Sequence, residues 1–101
     1  MTARLTVIRW REIPAQVVAS RGREKARAEL SPRFQVAIDR AAMNARLVGT
    51  DAYLEQWTRT TVECSEDLDV AARNEADRIE SEYDKARLDR LVAGLGKEEG
   101  L

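Results

Sequence analysis

An α+β fold is predicted: a small two- to three-stranded antiparallel sheet packed by helices, with a long C-terminal helix. Three observations predict it. Residues 5 to 20 alternate around β-favouring side chains, residues 34 to 45 and 68 to 95 repeat apolar positions at helical spacing, and 101 residues suffice for one modest core.

The first strand is Leu5-Thr6-Val7-Ile8-Arg9-Trp10, partly apolar on both faces. Pro14 has no backbone donor and biases Ile13 to an extended conformation, so Glu12-Ile13-Pro14 should turn the chain or lead into an edge strand. Gln16-Val17-Val18-Ala19-Ser20 reads as a second strand, with Gly22 turning the backbone out of it, and two strands so close in sequence pair most simply as a hairpin. Alone, a hairpin is marginal, so a third strand or a covering helix is needed. Arg23 to Leu30 is short and rich in helix formers, which reads as a helical turn or a loop.

Ser31-Pro32 is a helix start, with an N-cap hydroxyl followed by proline where its missing N–H costs nothing. Phe34, Ile38, Ala41, Ala42 and Ala45 then share one face of a helix that should pack on the sheet, with Gly49 as its C′ residue. Thr50-Asp51 restarts a short helix through Tyr53, Leu54 and Trp57. Residues 58 to 64, TRTTVEC, disfavour helix and suit a third strand. Ser65 or Asp67 should cap one continuous helix from about Leu68 to Ala93, ended by Gly94 and Gly96. Residues 1 to 64 thus read as the α+β domain, and residues 65 to 101 as a helix and frayed tail, part of the same domain or an interaction extension.

The chain contains no His, which removes the commonest general base and the commonest neutral metal ligand. It also lacks CxxC, a Gly-x-Gly-x-x-Gly turn and a Walker-type phosphate loop, so the expectation is a protein that is not an enzyme and holds no cofactor or metal. Cys64 could become an activated thiolate beside Arg59, but a free cysteine ending a threonine-rich strand reads first as a packing residue. Ser65-Glu66-Asp67-Leu68-Asp69 lacks the glycine and spacing of a calcium loop, and acids in a helix's first turn follow from the macrodipole alone. The single cysteine, a start without a signal-peptide pattern and no apolar run near the roughly 18 residues that span a bilayer point to a cytoplasmic protein with no membrane association.

The net charge of -1 conceals a division. Residues 1 to 50 hold ten Arg/Lys against four Asp/Glu, and residues 51 to 101 hold seven against fourteen, so the halves carry +6 and -7. The acidic half is expected to fold over the basic half or over a neighbouring copy. Two candidate surfaces follow. One is the apolar line of the C-terminal helix, Ile79, Tyr83, Leu88 and Leu91, which a small core would leave exposed for a protein partner or another copy. The other is a basic patch, Arg21, Arg23, Lys25 and Arg27, able to hold phosphates or a nucleic-acid backbone. Glu24 and Glu29 should balance that patch, which makes a nucleic-acid partner the weaker expectation.

VIRWREIPAQVV at residues 7 to 18, RFQVAIDRAAM at 33 to 43 and GTDAYLEQW at 49 to 57 together resemble the main blocks of a family of small bacterial domains known as virulence factor. The likeness covers roughly residues 4 to 60 and leaves the C-terminal helix outside it. The resemblance implies a small α+β domain, standing alone or attached to other modules, with no catalytic residues to carry over. It also implies relatives encoded beside enzymes of folate- and corrinoid-dependent methyl transfer, which would make this chain an accessory subunit.

Overall fold

The computed structural model describes residues 2–98. Four strands, β1 (Arg4–Trp10), β2 (Ile13–Arg21), β3 (Glu24–Glu29) and β4 (Trp57–Glu63), form one antiparallel sheet in the order β3-β2-β1-β4. Four helices join them among the described residues: α1 (Pro32–Asn44), α2 (Asp51–Glu55), α3 (Leu68–Glu82) and α4 (Lys85–Ala93). The sheet therefore has four strands where the sequence predicts two or three.

The extra strand is β3. Its sequence, EKARAE, favours helix locally, but it alternates in charge, and the alternation decides the outcome. Ala26 and Ala28 pair with Ala19 and Val17 on one face while Lys25 and Arg27 point to the other. Two alanines there let α3 lie close against β2 and β3, where Leu68, Ala71, Ala72, Ala76 and Ile79 are buried. Burial of that face outweighs a helix preference of a few tenths of a kcal/mol per residue. Gly22, at φ +60°, makes the tight connection from β2.

β2 also begins earlier than expected. Pro14 lies inside it, in an interior strand, at a bulge where Ile8 pairs with Gln16 and Arg9 with Pro14. The irregularity tolerates the missing donor. Arg11 and Glu12 link β1 to β2, with Arg11 at φ +53°. Their amides donate to the Gln56 and Gly96 carbonyls, both at 2.9 Å, so the segment before β4 and the segment after α4 together secure the turn. Gly96 has φ +95° and approaches so closely that an added Cβ would lie 3.0 Å from the Trp10 ring.

α1 packs on β2 and α4, burying Phe34, Ala37, Ile38, Ala41 and Ala42. Ser31 stands at its N-cap, but its hydroxyl does not cap the helix: Oγ donates to Glu80 at 2.9 Å, and the Ser31 amide donates to the same carboxylate. α1 ends sooner than expected, at Asn44 with Ala45 as its C-cap, and Gly49 lies in the turn that precedes α2. Trp57 belongs to β4 and not to the short helix. Trp10 is fully buried, stacks 5.7 Å from Tyr53 and donates its indole N–H to the Tyr53 carbonyl at 3.0 Å.

The long C-terminal helix is broken in two. Tyr83 leaves helical geometry at φ -104°, ψ 71°, and Asp84 accepts from the Arg87 amide at 2.8 Å as the N-cap of α4. Tyr83 and Leu88, both buried, occupy the flanking positions at which hydrophobic residues staple a helix start. Arg87 lies over the Tyr83 ring at 3.9 Å, and Phe34 meets Tyr83 at 6.1 Å. The break folds the second helix back onto α1 and lets residues 68 to 93 close over the sheet as part of the same core.

Near the end of α3, Arg78 bridges Glu75 and Glu82, with both closest contacts at 2.7 Å. The hydrogen bond from Arg78 holds the Glu75 carboxyl below the usual carboxylate range, against partial burial that pushes it up; Arg78 and Arg9 add attraction. A lowered native value makes the group stabilising above the ordinary carboxylate range, and that contribution is lost as pH falls through the native value. Glu75→Gln should therefore lower the thermal midpoint at neutral pH, with the gap to wild type closing in acid; a constant gap across the titration would refute the ion-pair account.

Candidate functional site

The two faces of the sheet have different fates. One face carries the rows Leu5-Ala19-Ala26 and Val7-Val17-Ala28 and is the side on which α3 packs. The opposite face carries three cross-strand rows: Glu63-Arg4-Ser20-Lys25, Thr61-Thr6-Val18-Arg27 and Arg59-Ile8-Gln16-Glu29. Strand alternation alone assembles this surface, because opposed residues in antiparallel strands point to the same side. It is concave, with a recess of about 400 Å³ lined by Thr6, Ile8, Gln16, Val18, Ser20, Lys25, Arg27 and Arg59. Sharing Ile8 and Gln16, the recess runs on into a second of about 360 Å³ that reaches Leu30, Gln35 of α1 and the half-buried Trp57.

Charged side chains of both signs line and rim this face. Among the described residues, Arg21, Arg33, Arg40, Arg78, Lys85 and Arg87 each lie within 4.0 Å of a carboxylate, whereas Lys25, Arg27 and Arg59 do not. Glu29 and Glu63 sit on the rim, on the two outer strands. Thr6 and Thr61 share a hydroxyl hydrogen bond of 3.0 Å across the floor.

The basic patch expected at Arg21, Arg23, Lys25 and Arg27 is thus divided. Arg21 points to the helix side and pairs with Glu24 at 3.1 Å and Glu66 at 3.8 Å; Arg23 is exposed in the turn. Only Lys25 and Arg27 reach the open face, and Arg59, from a strand more than 30 residues later, joins them. Glu24 does not balance them, since it engages Arg21 across the other side. Period-two alternation of β3 would have revealed the split; the partnership with Arg59 depends on β4 adding beside β1.

The partner-facing line expected on the C-terminal helix is corrected outright. Ile79, Tyr83, Leu88 and Leu91 are 0%, 9%, 3% and 0% exposed, all within the chain's own core. The helix break after Glu82 turns what would have been one long exposed ridge into two short buried faces. Charge complementarity between the halves acts within the chain, in the pairs Arg21–Glu66, Arg33–Glu80 and Arg40–Asp89.

Partial burial, then the nearby Asp39, pushes the Tyr53 hydroxyl above its ordinary value, so it stays protonated near neutrality. Asp67 in the acidic run caps α3, accepting from the Val70 amide at 3.2 Å. Among the described residues, no group of three or more acidic or cysteine side chains is placed to hold a metal ion, and no helix is long and apolar enough to cross a membrane.

Fold and surface together define a small α+β domain, a four-stranded antiparallel sheet backed by helices on one face and open and basic on the other. The chain belongs to the virulence factor family, whose model matches residues 8–92. That match takes in α3 and most of α4, so the C-terminal helices are part of the family domain and do not lie outside the likeness, as the quoted blocks alone suggested. No curated protein and no solved structure matches the chain.

Proposed function

We propose that this chain is a non-enzymatic protein–protein interaction module, an accessory subunit that holds an acidic segment of a partner on the open face of its sheet. One observation carries the reading: Lys25, Arg27 and Arg59 line one concave polar recess and, among the described residues, have no carboxylate within 4.0 Å. Unpaired cations around Thr6, Gln16 and Ser20 supply donors to carboxylates, with Ile8 and Val18 between them to bury a side chain. Service beside a folate- or corrinoid-dependent methyl-transfer enzyme, which the family resemblance implies, is one form of this role.

A second reading, a nucleic-acid or phosphate-binding module, draws on the same cations. Glu29 and Glu63 on the rim count against a polyanion lying across the face, and Trp57 is the one large aromatic side chain lining the connected recesses. Fluorescence anisotropy at low salt with a Glu/Asp-rich peptide and with single-stranded and duplex oligonucleotides separates the two. The peptide should bind, lose about tenfold in affinity when Lys25→Ala and Arg27→Ala are combined, and weaken with salt. Tighter binding of oligonucleotides, abolished by the same pair, would replace the first reading by the second.

A further inference from the structure

We propose that β4 is a dimerisation edge: two copies of this chain join antiparallel through their β4 strands, in the register that sets Thr61 opposite Thr61, making one continuous eight-stranded sheet. The proposal shares Arg59 with the basic face and leaves Lys25 and Arg27 to whatever occupies it.

β4 is a seven-residue strand, paired with β1 without a register shift, at the edge of the sheet. The face of the other edge strand, β3, is backed by α3, whereas among the described residues no helix packs substantially on β4. Every residue of β4 except Trp57 is exposed, including Val62 at 55%. Long regular edges invite pairing with another strand, and natural proteins commonly blunt them with proline, a bulge or a cover. β4 has none of these three; it does carry charged side chains, Arg59 and Glu63, but they are of opposite sign and so admit a pairing that sets them together.

The hydrogen-bond phase of β4 follows from its neighbours. The Cys64 amide donates to the Ala3 carbonyl at 3.1 Å, and the Arg11 amide donates to the Gln56 carbonyl at 2.9 Å. Both pairs continue the β1–β4 register beyond its ends, so the hydrogen-bonded pairs alternate through Leu5–Val62, Val7–Thr60 and Arg9–Thr58. The backbone groups of Trp57, Arg59, Thr61 and Glu63 consequently point outward, and among the described residues no backbone bond from another element reaches them.

A two-fold antiparallel pair must set outward residues opposite outward residues, which leaves a few registers to choose from. Centring on Arg59 opposes two like charges. Centring on Thr60 leaves Arg59 opposite Thr61 and Trp57 opposite Glu63. With Thr61 at the centre, Arg59 of each copy meets Glu63 of the other, twice, and Thr60 meets Val62 on the opposite face. Only this register pairs opposite charges and β-branched side chains together. Arg59 and Glu63 are free for it: neither lies within 4.0 Å of an opposite charge among the described residues, although Arg4 neighbours Glu63 across β1. Lys25 and Arg27, on the far strand, stay open to a partner.

Light scattering of the full chain across a concentration series should give twice the monomer mass. Arg59→Glu and Glu63→Arg should each halve that mass, because each places two like-charge pairs at the junction. Mixing the two variants should restore the dimer as a heterodimer, since the opposed charges are complementary again, and the double variant Arg59→Glu/Glu63→Arg should dimerise alone. Recovery on mixing also shows that the single variants are folded. A full chain that is monomeric throughout the series, a dimer indifferent to either single change, or singly monomeric variants that do not rejoin on mixing would each overturn the proposal. The combined Lys25→Ala and Arg27→Ala variant should dimerise unchanged, which keeps failure here distinct from failure of the basic-face reading.

Discussion

Ile79→Asp should unfold the domain, abolishing its cooperative thermal transition at room temperature. Ile79 is 0% exposed on the face of α3 turned to the sheet, in a core cluster that contains no buried charged group. Replacing it deletes a fully buried aliphatic side chain, which costs about 2–5 kcal/mol, and strands a carboxyl in an apolar site, which costs a further ~2 kcal/mol or more even when protonated. A domain of this size commands about 5–15 kcal/mol in all. Had the residue lain on an exposed interface, the same change would leave the monomer folded and remove only association. Circular dichroism melting of the variant separates the outcomes, and a folded, wild-type-like transition would put Ile79 back on the surface.

Phe34→Ala should cost about 3–5 kcal/mol without the added charge, leaving a marginal fold with a sharply lowered thermal midpoint. Phe34 is 1% exposed, meets the Tyr83 ring at 6.1 Å and carries the Arg33 guanidinium over its own ring at 4.9 Å. Arg33 in turn donates to the Glu80 and Tyr83 carbonyls at 2.8 and 2.9 Å, where α3 ends. The ring therefore sits at the junction of α1 with the break between α3 and α4, and its loss should also loosen that break. A midpoint unchanged by the substitution would contradict the packing described.

The expected dimer changes how the basic face should be viewed. Joining the β4 edges places two open faces on the same side of one sheet, because a two-fold axis perpendicular to a sheet preserves its faces. Arg59 would then be spent at the junction, leaving Lys25 and Arg27 as the cations of each half. An acidic partner would meet two such halves related by symmetry, a bivalent arrangement that strengthens binding without new contacts.

Local signals along the chain define the class of fold and several of its elements. Alternation over Leu5 to Trp10, the Ser31-Pro32 start, the helical spacing of Phe34 and Ile38, and the threonine-rich run of β4 are properties of short segments, and each is realised. The lack of His was equally legible, since composition needs no geometry. Tertiary structure alone decided the rest. β3 is a strand whose Ala26 and Ala28 are half-buried on the face where α3 packs, a gain no local propensity records. The C-terminal helix breaks at Tyr83, whose ring packs against Phe34 across the sequence, and Asp84 caps the helix that follows. The open face needed both decisions: Lys25 and Arg27 meet Arg59 only once β3 and β4 have taken opposite edges of one sheet, and that placement rests on contacts between residues more than 30 positions apart.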